Sequence, residues 1–399
     1  MMPTQFREIE GRSGGFFALL CTLVLLVLAG LGAAWHMEHE GHHVTGMSNR
    51  IVWGTPHVFA VFLIVAASGA LNVASIASVF GRDLYKPLAR LSGLLAIALL
   101  AGGLSVLVLD LGRPDRLIVA MTHYNFKSIF AWNIFLYTGF FAVVAVYLWT
   151  MFERRMNSHT ARAGLLAFVW RLVLTTGTGS IFGFLVAREP YNSALLAPLF
   201  IVMSFSFGLA VFMLVLMASF RGTGRALGDA LIARLTRLLG LFVAAVLYFV
   251  LVYHLTNLYI ARHHEVERFI LLGGGIYTAL FWIGQVLVGG VIPLALVFLP
   301  GASRSRTAAA AGCVIAGGLA QLYVLIIGGQ AFPQAMFPGK EVASSFFDGV
   351  VASYSPSLAE IALGAGGMAL ALALTVVGLK VLPFLPQSLS DAAIDPAKT

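Results

Sequence analysis

Residues 89–116 read ARLSGLLAIALLAGGLSVLVLDLGRPDR. From Leu91 to Leu109 no side chain carries a charge, and a helix of that length, rising about 1.5 Å per residue, nearly spans a hydrocarbon layer of roughly 30 Å. The run then meets Asp110-Leu111-Gly112-Arg113-Pro114-Asp115-Arg116, where carboxylates, guanidiniums, a glycine and a proline stop the helix and return the chain to water. Such a segment is a membrane span with chemistry at its exit.

The same pattern repeats along the chain. Apolar runs occur near 15–35, 53–80, 89–110, 128–151, 164–187, 194–220, 238–260, 269–299, 307–330 and 356–382. Hydrophobic residues make up 59% of the sequence and charged residues 11%, with a mean hydropathy of +0.92. That is more apolar than one soluble core requires. The expected fold is an all-α integral membrane protein with ten transmembrane helices. The first run is too long for a secretory signal, and Gly32-Ala33-Ala34-Trp35 is a poor cleavage site, so it reads as a retained helix.

Lys and Arg crowd the loops that share a side with both termini, among them Arg7, Arg12, Arg82, Lys86, Arg154, Arg155, Arg171, Arg221, Arg225 and Lys398. The opposite loops hold fewer, including Arg50, Arg113, Arg116, Lys127, Arg188 and Lys340. The positive-inside rule then predicts a multi-pass protein of the cytoplasmic (inner) membrane, both termini cytoplasmic and Asp110 facing outward. The net charge of +8 follows from that loop bias and gives no reason to expect nucleic acid as a partner. Trp35, Trp53, Trp149 and Trp170 read as interfacial anchors. Cys21 and Cys313 lie inside apolar runs with no CxxC or CxxCH spacing, so the chain is expected to hold no iron–sulfur cluster and no covalent haem.

An internal repeat aligns spans 2 and 3 with spans 6 and 7. Phe62-Leu63-Ile64-Val65 with Ser68-Gly69 matches Phe200-Ile201-Val202-Met203 with Ser206-Phe207-Gly208, and Arg90-Leu91-Ser92-Gly93 matches Arg237-Leu238-Leu239-Gly240. In that register Asp110 falls opposite Asn257. The expected architecture is two four-helix bundles, spans 2–5 and 6–9, flanked by spans 1 and 10. The corresponding units are a cytoplasmic segment 1–14, the first helix and a His-rich loop 15–52, bundles 53–190 and 191–330, an outer loop with the tenth helix 331–383, and a tail 384–399.

Three motifs carry a family likeness: Trp53-Gly54-Thr55-Pro56-His57 opening span 2, Asp110-Leu111-Gly112-Arg113-Pro114 closing span 3, and Asn125-Phe126-Lys127-Ser128-Ile129-Phe130-Ala131-Trp132-Asn133 opening span 4. With the ten-span layout they resemble the NrfD/PsrC family of membrane subunits of respiratory oxidoreductases, most of all its DsrP branch, from the DsrMKJOP complexes of dissimilatory sulfur metabolism. HybB-like hydrogenase anchors are the nearest competitor. The resemblance implies a quinone-reactive anchor that takes menaquinone or ubiquinone as an exchangeable partner and is catalytic only with other subunits. It further implies an extracytoplasmic four-cluster iron–sulfur protein (DsrO-like), a multihaem cytochrome c (DsrJ-like) and further membrane and cytoplasmic redox subunits (DsrM- and DsrK-like).

Quinol oxidation releases two protons with two electrons, so its site needs an apolar slot, hydrogen-bond partners for two ring oxygens and a proton acceptor in touch with water. Asp110 and His57 are the expected acid–base residues. Arg113, His123, Tyr124, Tyr253, His254 and Asn257, at the same ends of their spans, are the further expected binding residues. For each a plainer role stands beside this one: an Asp110–Arg113 or Asp110–Arg116 ion pair, an interfacial His57, a helix cross-link through His254 and Asn257. His36-Met37-Glu38-His39-Glu40-Gly41-His42-His43 reads as a polar outer loop, with no metal site assigned to it. The loop from Gln330 to Pro356, with Glu341, Phe346, Phe347 and Asp348, reads as a docking surface, and Glu360 as a proton-path residue or a helix N-terminal charge. Two other classes stay open: a b-type cytochrome would need facing His pairs, of which the spans show no evident inner one. A secondary transporter would need a charged or unwound midplane.

Overall fold

The computed structural model of the chain describes residues 5–301, 303–334 and 349–394. Ten helices are long and apolar enough to cross a membrane: Gly14–Glu40 (span 1), Thr55–Ser78 (span 2), Asp83–Leu109 (span 3), Ile129–Phe152 (span 4), Arg154–Gly183 (span 5), Leu196–Thr223 (span 6), Asp229–Tyr259 (span 7), Ile276–Phe298 (span 8), Arg304–Ala331 (span 9) and Leu358–Val381 (span 10). Lys340, Glu341, Phe346, Phe347, Asp348 and Lys398 lie outside the described residues.

Local sequence sets the ends that matter. Span 2 starts from extended Gly54 with Pro56 in its first turn, where a fixed φ suits the helix and a missing N–H costs nothing. Span 3 ends at Asp110, and Gly112, at φ +68°, turns the chain away. Span 10 opens with a reciprocal cap: the Ser357 hydroxyl accepts from the Glu360 amide, and the Glu360 carboxylate accepts from the Ser357 amide.

Spans 2–5 pack in a ring, 2 on 3, 3 on 4, 4 on 5 and 5 on 2, and spans 6–9 repeat the arrangement. The two rings meet mainly through spans 2 and 6, while span 1 lies along span 10, which rests on spans 2 and 3. Span 2 is the central pillar, 89% buried over its apolar stretch, against 11% for span 1. The small-residue segments aligned by the repeat meet face to face: a Cβ on Gly69 would overlap the Ser204 carbonyl, and one on Gly208 would overlap the Gly69–Ala70 backbone. Phe62 stacks on Phe207 beside this crossing, with ring centroids 5.2 Å apart. Close approach of this kind is what small residues supply between membrane helices.

The start of span 1 and the end of span 10 lie at one end of the molecule, where Phe6–Arg7 pairs antiparallel with Leu385–Pro386. The opposite end, where span 3 finishes, is the Asp110 end.

Several expectations are corrected. Span 1 continues to Glu40 because nothing interrupts it before Gly41, at φ +90°, so His36–Glu40 are helical rather than loop. Span 7 begins at Asp229, nine residues ahead of its apolar run at 238. The expected span 269–299 is broken at Gly274-Gly275, where Gly275 has φ +58°, and the membrane helix begins at Ile276. Arg171 is fully buried inside span 5: Nη2 donates to Asn72 Oδ1 at 2.8 Å and the guanidinium lies over Phe168 and Phe205. It is therefore no loop cation and carries no topological information. Trp53 and Trp170 are each only partly exposed. Trp53 packs among Phe130, Phe182 and Tyr191, and Trp170 donates to the Leu136 carbonyl of span 4 at 2.9 Å. Cys21 and Cys313 are free thiols.

Candidate functional site

Asp110 sits at the C-terminus of span 3, its amide bonded to Val106 O at 3.0 Å and its side chain wholly buried. A carboxylate there faces the negative end of the helix dipole, so sequence context opposes its charge. His57, one turn into span 2, brings Nδ1 to 2.8 Å from Asp110 Oδ2, and His42, from the turn after span 1, brings Nε2 to 3.9 Å from Oδ1. Among the described residues, neither carboxylate oxygen has an aligned hydrogen-bond donor, and the two imidazole nitrogens that face them have no aligned partner either. Buried polar atoms left this way are uncommon. The three side chains are placed to hold and pass a proton, with His42, 30% exposed, on the side toward solvent.

The segment leading into His57 is pinned. Gln330 of span 9 accepts from the Val52 and Trp53 amides at 2.9 and 3.0 Å and donates to the Trp53 carbonyl at 2.9 Å. Trp53 stacks over His57 with centroids 6.1 Å apart. Buried Glu360 accepts from the Gly46 amide at 2.8 Å and from Tyr354 OH at 2.6 Å, and Tyr354 OH accepts in turn from the Thr55 amide. Burial first, and then the bond to Glu360, push the Tyr354 phenol up, so it stays a neutral donor. Glu360 thus clamps the segment between spans 1 and 2 as well as capping span 10.

The remaining expected residues fall elsewhere. Arg113 does not reach Asp110: its guanidinium pairs with Asp115 at 2.9 and 3.0 Å on the exposed surface, and each shifts the other toward its charged form through that bond. His123 is exposed and bonds Thr122, while Tyr124 stacks on Phe135 at 4.2 Å. Tyr253, His254 and Asn257 form a second centre in spans 6–9. His254 Nδ1 lies 2.7 Å from Oε2 of buried Glu267, Asn257 Nδ2 donates to Glu267 Oε1 at 2.8 Å, and Asn257 Oδ1 lies 3.1 Å from His263 Nδ1. Tyr253 OH donates to Pro190 O at 2.8 Å. A cavity of about 50 Å³ beneath this group is also lined by Gln285 and Gln321. Tyr191, beside Pro190, touches Trp53 and so lies between the two centres. The second centre differs from the first in that its carboxylate is fully bonded.

The family model described as polysulphide reductase, NrfD, matches residues 43–334. The chain belongs to the NrfD family. Among curated members, it is 32% identical over 400 residues to the Hdr-like menaquinol oxidoreductase integral membrane subunit of Archaeoglobus fulgidus, an alignment covering 99% of this chain and 100% of that one. It is 26% identical to a polypeptide of the polysulfide reductase of Wolinella succinogenes, over 71% of this chain and 96% of the relative. It is also 26% identical to the protein NrfD of Escherichia coli, over 70% and 95% respectively.

Several side chains that build the site in this NrfD-family chain escape a reading of the sequence alone. His42 looks like one of several loop histidines, and only the fold brings it to Asp110. Glu267 is hidden among the charges of His263-His264-Glu265-Val266-Glu267-Arg268; the usable signal is that it flanks Val266 and Phe269, both buried. Among the described residues no three His, Cys, Asp or Glu side chains gather closely enough to hold a metal ion.

Proposed function

We propose that this chain is the quinol-binding membrane subunit of a respiratory iron–sulfur oxidoreductase and that quinol is oxidised at the His57–Asp110 pair. The observation that carries the reading is the buried Asp110 carboxylate, contacted by His57 at 2.8 Å yet lacking aligned donors, beside an aromatic wall of Trp53, Phe130, Phe182 and Tyr191. The wall supplies a flat apolar surface for a ring, and Phe130, 46% exposed, leaves it open toward the lipid.

His57 accepts a proton from one quinol hydroxyl, Asp110 stabilises the resulting imidazolium, His42 leads that proton to water, and the emptied pair then carries the second hydroxyl's proton by the same path. Two electrons leave to clusters on a partner subunit, so the chain turns over only in its complex. Menaquinol is the favoured substrate, on the strength of the Archaeoglobus relative's name. The loop charge bias supports cytoplasmic termini and an outward-facing site.

The finer assignment is to dissimilatory sulfur metabolism, with a DsrO-like four-cluster protein, a DsrJ-like multihaem cytochrome and DsrM- and DsrK-like subunits. It rests on the motif resemblance, and the "Hdr-like" description of the Archaeoglobus relative fits a heterodisulfide-reductase-like member of such a complex. Mass spectrometry of proteins co-purifying in mild detergent tests it, with hydrogenase subunits as the outcome that replaces it. For the site, Asp110→Asn in the assembled complex is expected to lower quinol oxidation by about 10²-fold or more. Unchanged turnover in an intact complex would remove Asp110 from the reaction.

A further inference from the structure

A large apolar hollow lies away from the Asp110 site. A slot of about 550 Å³ opens between the span 1–span 10 pair and span 6, reaching from Phe62 and Leu99 near mid-depth to Gly11, Gly222 and Thr223 at the terminal end. Spans 1, 6 and 10 supply most of its walls, with Leu19, Leu23, Leu214, Val215, Leu372 and Val376 as typical lining.

Three of the hydroxyls along it are bonded within their own helices. Thr223 Oγ1 donates to Ser219 O at 2.7 Å, Thr375 Oγ1 to Ala371 O at 2.8 Å, and Ser13 Oγ accepts from the Phe16 amide at 3.1 Å. Water in a protein needs two to four polar partners, and these walls offer almost none. A dry void is costly in proportion to its volume, and this one is of ligand size, within the roughly 300–1,000 Å³ typical of binding pockets. The slot therefore suits hydrocarbon.

Charge at the mouth selects the head that the hydrocarbon carries. Lys380 stands at the opening, its ammonium bonded to Gly11 O at 3.0 Å and held over Phe16 at 4.9 Å. Arg12 lies between the lining residues Gly11 and Ser13, and Arg221 beside the lining residue Gly222. Both arginines are exposed, and among the described residues neither forms an ion pair. The nearby acids are Glu8 and Glu10 on the N-terminal strap, the latter 3.9 Å from Arg7. Basic pockets between membrane helices are the usual seats of acidic lipid headgroups. We propose that this slot is a binding site for one acidic phospholipid, its acyl chain between spans 1, 6 and 10 and its phosphate at Arg12, Arg221 and Lys380.

The site bridges the flanking helix pair to the second bundle, so the lipid acts as a filler between bodies that protein side chains leave apart. Two variants separate acyl tail from head. Gly222→Phe enters the slot from a position where an added Cβ meets nothing within 4 Å, and the double variant Arg12→Gln/Lys380→Gln leaves the apolar walls intact.

The experiment is lipid analysis by native mass spectrometry of the whole complex purified in mild detergent, followed by titration of the delipidated complex with phosphatidylglycerol, phosphatidylcholine or menaquinone. Wild type is expected to retain one acidic phospholipid per polypeptide and to rebind phosphatidylglycerol at least tenfold more tightly than phosphatidylcholine. Gly222→Phe is expected to lose that lipid, and the double variant to keep a lipid while losing the preference for the acidic head. Equal retention in wild type and Gly222→Phe overturns the site. Equal binding of both phospholipids by wild type overturns the headgroup assignment, and menaquinone in place of phospholipid makes the slot a second quinone site instead.

Discussion

At the scale of single residues, the molecule places charge where local physics opposes it. Asp110 occupies the wrong end of a helix for a carboxylate, and its oxygens face two imidazoles without aligned donors among the described residues. Glu360 is the contrast: equally buried, it sits at a helix N-terminus and is bonded on both oxygens. Glu360→Gln keeps the shape but weakens the bonds to Gly46, Ser357 and Tyr354, so the thermal unfolding of the complex should show a loss of about 1.5–3 kcal/mol, together with slower turnover as the segment bearing His42 and His57 loosens. Arg113→Ala should do neither. Its partner Asp115 lies below the usual carboxylate range because of their bond, so the pair contributes above the unfolded carboxylate's range and fades as the pH falls through the folded value. Both groups are exposed and screened, so no measurable change in stability is expected. A large loss of quinol oxidation in Arg113→Ala would place that guanidinium at the substrate after all. Asp110 and His57 were legible in the sequence because each interrupts an apolar run; Glu267 and His42 were not, because each stands among other polar residues and acquires meaning only from its neighbour in space.

At the scale of helices, span length and exit residues were readable, whereas breaks and extensions depended on backbone conformation. Gly274-Gly275 interrupts a run that hydropathy alone makes continuous, and nothing apolar marks the start of span 7 at Asp229, whose first turns stand outside its apolar stretch. Arg171 shows the reverse failure: a cation read as a loop marker is enclosed by Asn72 and two aromatic rings. The repeat was legible, and its meaning lies in the span 2–span 6 crossing. Gly208→Val must displace the Gly69–Ala70 backbone, which side-chain rotation cannot relieve. It is expected to cost at least about 1–3 kcal/mol, seen as reduced recovery of the folded protein in detergent, while Gly312→Ala, where an added Cβ meets nothing, serves as the control and should be neutral. Normal recovery of Gly208→Val would show that the two bundles tolerate a wider separation.

At the scale of the whole molecule, ten helices enclose two polar centres at one end and leave an apolar slot toward the other. The strand pair Phe6–Arg7 with Leu385–Pro386 gives this arrangement a property that its helix count does not suggest. Neighbouring strands lie about 4.8 Å apart, so the backbone at Phe6–Arg7 runs beside that at Leu385–Pro386, and between them the chain traces a circuit through its helices. Joining those two segments by a short linker and opening the circuit in an exposed loop is a circular permutation that such proximity favours. Fluorophores fused to both termini would likewise report, by energy transfer, when the final helix has come home to the first.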